Sequence, residues 1–338
     1  METQTLRLSV VVPTRNRPDS LRRLLQNLCA QSLPAAHFEV IVVDDGSEPP
    51  VDVAGHNARL PFTCRTIYRN TYHGAHASRW AGLHAASGAR VVFLDDDVTA
   101  EPRVLETHAS VSLGERIALG PIRYPTRKDS TPFFRYMAHF YEQCNRHVSA
   151  QGEACTPGDY YICNSSGPRP RLIRAFEDVA AGFPHPMVGA GFDEALLAQA
   201  FAVQGGTAVF LPDATLWHLD EKTLTQACDE LRRRGEATVR VLTERGLARA
   251  AEQTADSILG SSRSARLRRL AMRCFWGTPG PFLFAARLLR LIAEHGPSRL
   301  VPRSFCHAPL RLAGWEGMYS VVPAFDDLLR PLRQARAG

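Results

Sequence analysis

Two short apolar runs each end in a cluster of carboxylates, and this pairing constrains the fold more than any other feature of the 338 residues. Val40-Ile-Val-Val43 breaks at Asp44-Asp45-Gly46-Ser47, and Val91-Val-Phe-Leu94 breaks at Asp95-Asp96-Asp97. Brief, uninterrupted β-branched and apolar runs read as strands buried on both faces, which is the habit of a parallel sheet covered by helices. A third run, Leu8-Ser-Val-Val-Val12, is stopped by Pro13. Leu21, Leu24, Leu25 and Leu28 then repeat at i, i+3, i+4 and i+7, predicting a helix capped by Asp19 or Ser20. Strand and helix alternate, so the fold class is α/β. In such sheets ligands bind outside the carboxyl ends of the strands, where the Pro13-Thr-Arg-Asn16 turn and both acidic clusters converge.

Further along, Ile117 to Leu119 and Thr207 to Leu211 read as strands, and Thr131 to His147 and Glu194 to Val203 as helices. Residues 149 to 170 read as a loop, with Gly152, Pro157, Gly158, Gly167, Pro168 and Pro170. After Asp220 the text turns helical and arginine-rich. From Lys222 onward 20 Lys and Arg face 10 Asp and Glu, so the net charge of +6 belongs to this tail. The expected division is therefore a catalytic domain over residues 1–221 and a basic, mostly helical extension over 222–338. Eight cysteines, at 29, 64, 144, 155, 163, 228, 274 and 306, include no CxxC pair, which argues against a zinc ribbon or a redox motif. No stretch approaches the ~20 apolar residues that a bilayer span demands. Met1 to Ser9 offers no apolar leader, so a cytoplasmic protein is expected, with attachment at the inner face of the membrane as an alternative.

Three successive aspartates after a buried strand repel one another unless positive charge offsets them. Hard oxygen donors on a loop suit Mg2+ or Mn2+, which would hold a diphosphate and stabilise it as it leaves. The opposing reading is a solvated acidic turn.

Ser9-Val-Val-Val-Pro13-Thr-Arg-Asn16, Val42-Val-Asp44-Asp45-Gly46-Ser47, Gly74-Ala-His-Ala-Ser78-Arg79-Trp-Ala-Gly82 and Phe93-Leu-Asp95-Asp96-Asp97 together resemble, in order and spacing, the family 2 glycosyltransferases of the GT-A fold. The likeness covers residues 6 to 221. It implies a Rossmann-like, mixed but mainly parallel sheet flanked by helices, and transfer of a sugar from a nucleotide-sugar donor, a UDP-sugar first, with inversion. By the same resemblance Pro13, Thr14 and Arg15 line the nucleotide pocket, Asp44 or Asp45 meets the base or ribose, and Arg79 approaches the diphosphate. Asp95 and Asp96 belong to the donor site, and Asp95 and Asp97 form the Asp-x-Asp metal motif. His218, after Leu211-Pro-Asp-Ala-Thr-Leu-Trp217, resembles the element that adds an imidazole to the metal. Asn164 falls where the family has an Asn near a sugar. The family's base lies in a Glu-Asp pair at a helix start, here Asp193-Glu194 in reversed order, so the base is either Asp193 or Glu194. Leu196 and Ala200 replace an acidic and an arginine position common in that helix, which permits a weakened enzyme.

Two rivals follow. A nucleotidyltransferase shares the sheet and acidic site but is expected to carry a Gly-rich basic loop after the first strand, where Pro13-Thr-Arg-Asn-Arg17 has no glycine. A donor-binding protein with a decayed base is the other. The acceptor is a saccharide, a lipid-linked sugar or a small molecule. In the tail, Ala265 to Phe275 puts Leu267, Leu270, Ala271 and Cys274 on one helical face and Arg266, Arg269 and Arg273 on another. Phe282 to Ile292 is apolar but interrupted by Arg287 and Arg290. Residues 263–293 therefore fit either an anionic membrane surface or a packed helical subdomain. Nucleic acid is disfavoured, because no aromatic residues interleave the basic ones.

Overall fold

The computed structural model describes residues 6–53, 60–111, 116–127, 130–151, 161–182, 193–219, 222–243, 262–295, 304–321, 323 and 326–327. Its strands are β1 (Leu8–Thr14), β2 (Phe38–Asp45), β3 (Thr63–Arg69), β4 (Arg90–Phe93), β5 (Val98–Ala100), β6 (Arg116–Leu119), β7 (Ile122–Arg123), β8 (Ser165–Pro168), β9 (Thr207–Phe210) and β10 (Leu216–His218). The helices are α1 (Pro18–Leu28), α2 (Ala75–Ala85), α3 (Val104–Ser110), α4 (Pro132–Gln151), α5 (Arg169–Gly182), α6 (Asp193–Val203), α7 (Leu224–Thr243), α8 (Arg263–Gly277), α9 (Pro279–His295) and α10 (Ser304–Val321).

Seven strands form one sheet in the order β3-β2-β1-β4-β8-β6-β9. Pairing is parallel except at β8, which runs antiparallel to both β4 and β6. The sheet is thus mixed and mainly parallel. β1, β2 and β4 are buried almost throughout, as their unbroken apolar runs require. The four leucines of α1 are all buried, but Pro18 opens the helix, Arg17 stands at its cap, and no side chain caps it. Proline needs no N–H partner in a first turn, which displaces the expected cap at Asp19 or Ser20. Pro13 does not stop β1 either. The β1–β4 pairing ends at Val11, so Pro13 lies beside β2 alone, where one missing donor is tolerated.

The helix α2 lies close on β1 and β2 because Gly82 has no side chain. A Cβ there would collide with Val11 and crowd Val43. A three-stranded sheet, β5-β10-β7, carries the chain away from the acidic cluster at residues 95–97, with β10 antiparallel to β5. The stretch read as a loop contains β8 and the start of α5. Pro168 closes the strand and Pro170 falls in the first helical turn, so neither proline breaks an element. Gly152, Pro157 and Gly158 lie outside the described residues.

The chain divides into two compact units, one of Met1–Pro125, Phe140–Gly189 and Asp193–Asp220, the other of Thr126–His139, Ala190–Phe192 and Glu221–Gly338. The first holds both sheets. In the second, Val239, Met272, Phe275, Trp276, Leu312 and Trp315 form one apolar cluster, and Phe133, Leu224, Cys228, Ala293, Cys306 and Leu310 are in another. α8 turns Met272, Phe275 and Trp276 inward. Leu267, Leu270 and Cys274, whose face the sequence leaves open to a membrane surface or to packing, are exposed, since two aromatic rings bury more area than two leucines.

Candidate active site

The site is built where β1, β2 and β4 end. Register sets Thr14 beside Asp44, and the Thr14 hydroxyl donates to Asp96 Oδ2 at 2.6 Å. Arg17, in the turn after β1, donates to Asp97 Oδ2 at 2.6 Å and lies 3.5 Å from Asp96. Arg79 of α2, itself 6% exposed, donates to Asp95 Oδ1 at 2.6 Å. The mutual repulsion of three aspartates is therefore met partly by the chain's own arginines. Burial pushes Asp95 up, but the Arg79 guanidinium outweighs it and the carboxyl titrates below its ordinary range. Burial raises Asp96 to about 7, against the Thr14 hydrogen bond, and raises Asp97 against the pull of His218.

The His218 ring stacks on Tyr124 at 5.0 Å and brings its Nε2 to 3.5 Å from Asp97 Oδ1. Two links hold this approach. His218 is opposite Val98 in the β10–β5 pairing, and the Leu219 N–H donates to the Asp97 carbonyl at 2.9 Å. Asp97 Oδ1 is buried and makes no hydrogen bond. An orphaned carboxylate oxygen facing an imidazole nitrogen fits a divalent cation, which keeps a few protein ligands and fills the rest with phosphate and water. Among the described residues no three His, Cys, Asp or Glu side chains already converge as a complete cage.

Asp44 and Asp45 stand beside this network, at the end of β2, and are occupied by backbone. Asp44 accepts from the Ser47 and Val51 N–H groups at 2.9 Å each. Asp45 accepts from His73 N–H and, at 2.7 Å, from Gly74 N–H, with Arg69 at 3.7 Å. Gly46 sits at φ +76° against the backbone of Thr71, a conformation and a clearance that only glycine meets without strain. These two carboxylates shape the loops that flank the pocket. Pro13 is half-buried, and the exposed Arg15 stacks over Tyr72 with its guanidinium carbon 4.2 Å from the ring centre.

Glu194, in the first turn of α6, accepts from the Ile162 N–H at 3.2 Å. Half-buried Tyr141 of α4 has its hydroxyl pushed well up, first by burial and then by the charges of Glu194, Cys163 and Asp95. Asp193 opens α6, but its side chain lies outside the description, as do Gly191 and Phe192. Leu196 and Ala200 are buried among apolar neighbours.

Asn164 does not line this pocket as a sugar contact. It is fully buried, at φ +64°, donating to the Pro121 and Ala214 carbonyls at 2.9 and 2.8 Å, with His108 at 3.1 Å on its carbonyl oxygen. Arg17, Tyr124, Tyr141 and Cys163 went unread as site residues. Arg17 alone had a visible signal, the second arginine of Arg15-Asn-Arg17 directly after a strand.

Comparison with known proteins bears on this arrangement. The model of glycosyl transferase family 2 matches residues 9–163. The glycosyltransferase AglE of Haloferax volcanii is 25% identical over 178 residues, 51% of this chain and 59% of AglE. An uncharacterized glycosyltransferase of Haemophilus influenzae is 37% identical over 99 residues, 29% of this chain and 32% of its own length. The chain thus matches about three fifths of the one and a third of the other. Among solved structures, the mannosyltransferase PcManGT from Pyrobaculum calidifontis, in complex with GDP-Man and Mn2+, superposes with a TM-score of 0.53 at 18% identity, covering 94% of this chain and 88% of that one. At that identity the likeness is one of fold, the GT-A arrangement of a mixed sheet flanked by helices.

Proposed function

We propose that this chain, whose residues 9–163 match the model of glycosyl transferase family 2, moves a sugar from a nucleotide-sugar donor, a UDP-sugar first, to an acceptor hydroxyl with inversion at the anomeric carbon. The catalytic domain is residues 1–221 and the extension 222–338. The observation that carries the reading is the buried, unbonded Asp97 Oδ1 beside His218 at the carboxyl end of the sheet.

Asp97 and His218, with Asp95, would hold Mn2+ or Mg2+. When bound, the ion supplies Lewis-acid neutralisation of the departing diphosphate. Pro13, Thr14 and Arg15 line the nucleotide's path, with Tyr72 as an aromatic platform at its edge. Asp44 and Asp45 fix the loops that shape the base and ribose end, and Asp96 holds Thr14 in register through their hydrogen bond. Arg79 divides its guanidinium between Asp95 and diphosphate oxygens, a task suited to a planar fork of donors.

An inverting displacement needs a base on the face opposite the leaving group. Glu194 takes that role, its carboxylate steadied by the Ile162 N–H, and Asp193 is its alternative as the preceding residue. The proton passes from the acceptor hydroxyl to the carboxylate as the new glycosidic bond forms and the nucleoside diphosphate leaves.

A thermal-shift screen of nucleotide sugars with and without Mn2+ tests binding, since a ligand of the native state raises its apparent stability. Nucleoside diphosphate release with a panel of acceptors tests transfer. The apolar surroundings of Leu196 and Ala200 favour one second reading, a donor-binding protein with little turnover. Tight donor binding without release would select it.

A further inference from the structure

Residues 262 to 293 contain seven arginines and no Lys, Asp or Glu. They make up nearly all of α8 and α9. Each helix already satisfies a core of its own unit, α8 through Met272, Phe275 and Trp276, and α9 through Ala293 and the partly buried Phe282, Leu283 and Ala286. A second apolar set faces outward. Phe284 is 70% exposed, and Leu288, Leu291 and Ile292 follow it at i+4, i+7 and i+8, on one side of α9. Leu267 and Leu270 of α8 are exposed as well.

Arg287 lies on the flank of that stripe. With Arg290 and Arg232 it lines a cleft of 310 Å³ in the helical unit, whose acidic members are Asp229 and Glu316. Asp229 is already paired with Arg232 at 3.2 Å. Among the described residues Arg287 and Arg290 have no ion pair, and standing three apart on one helix they repel each other. A planar guanidinium engages two oxygens of a phosphate at once.

We propose that the α8–α9 segment docks on an anionic lipid bilayer, with Phe284, Leu288, Leu291 and Ile292 entering the acyl boundary and Arg287 and Arg290 taking lipid phosphates. Charge selects this occupant. A second copy would bring the same arginine-rich segment against itself, and a soluble polyanion would leave the apolar stripe in water. No helix among the described residues is long and apolar enough to cross a membrane, so the segment lies along the surface. The docking does not depend on sugar transfer.

The test is cosedimentation of the full chain with phosphatidylcholine vesicles, with and without phosphatidylglycerol, at low and high salt. Binding is expected to require phosphatidylglycerol and to weaken with salt. The Arg287→Gln, Arg290→Gln double variant should bind about thirtyfold more weakly, from about 1 kcal/mol per arginine near the surface. The Leu288→Ser, Leu291→Ser double variant should lose about tenfold or more while keeping its salt response. Circular dichroism confirms that each variant is folded, and inorganic phosphate at matched ionic strength should leave vesicle binding in place. The proposal is overturned if the folded native chain ignores phosphatidylglycerol, if both variants bind like it, or if phosphate strips it from vesicles. It also falls if Leu288→Ser, Leu291→Ser breaks a dimer and leaves vesicle binding intact.

Discussion

In the sheet-bearing unit three adjacent aspartates are balanced from within, by Arg17, Arg79 and the Thr14 hydroxyl. In the helical unit the seven arginines of residues 262–293 have no acidic residue in their own segment, and large apolar side chains stand in water beside them. The difference separates two uses of charge. Internal compensation leaves a single unspent oxygen, on Asp97, and so narrows what the rim can bind. Arg287 and Arg290, beside an exposed apolar stripe and without an ion pair among the described residues, are left to take an anion from outside the chain.

The largest test of the comparison is Asp97→Ala. Removing the unspent oxygen should cut nucleotide release from the donor by about a thousandfold or more, since metal-assisted charge stabilisation is worth several kcal/mol. The fold should persist, because the freed Arg17 is nearly half exposed and can reach solvent. Normal turnover by a folded variant would remove the metal reading. Glu194→Gln should lower release about a hundredfold or more at unchanged donor affinity, as expected for a general base. Full activity in this variant would move the role to Asp193.

The third test concerns a buried group that has no counter-charge among the described residues. Burial lowers His108 to about 4 from 6.5, with Asn164 opposing and Arg90 adding to the shift. Between those values the unfolded chain binds the extra proton, so stability should be full above pH 6.5 and fall as pH drops towards 4, by roughly 3 kcal/mol. Urea midpoints of native protein and His108→Gln measured across that window should diverge, and parallel curves would refute the assignment. Next comes Gly82→Ala, expected to cost about 2 kcal/mol through overpacking against Val11 and Val43, and to loosen the Arg79–Asp95 pair, whose arginine shares the helix of Gly82. Thermal unfolding with and without donor measures both effects. Smallest is Leu288→Ser, which should change stability by no more than about 0.5 kcal/mol, as befits an exposed side chain. A cost of several kcal/mol would mean that the stripe is already covered.

Much of the rim was legible in sequence because it lies in short runs. Strand and turn follow one another directly at residues 8–16, and strand, turn and carboxylates at 40–47 and 91–97, so each motif is continuous even though β1 runs on past Pro13. What escaped was assembled across distance. Cys163 hydrogen-bonds Asp95 from a turn, and Tyr141 feels the charges of Asp95 and Glu194 from an aromatic helix, neither with a local signature. β5, β7 and β10 have two or three residues each and exist by virtue of their partners. Which apolar face of α8 turns inward stayed open in the sequence because both sides of that helix are apolar, and only the bulk of Phe275 and Trp276 decides it.

Asn164 links three pieces of chain at once. Its backbone N–H donates to Phe93 at the end of β4, its carbonyl accepts from Gly120, and its amide nitrogen serves Pro121 and the segment just before β10. The spacing between the aspartate strand and the histidine strand is therefore set by Asn164 together with the β10–β5 pairing and the Leu219–Asp97 bond. Such an arrangement behaves like a rivet. The two halves of the pocket cannot drift apart independently, and any sequence drift that enlarges or charges this position is felt first as a mismatch between Asp97 and His218, far from either residue along the chain.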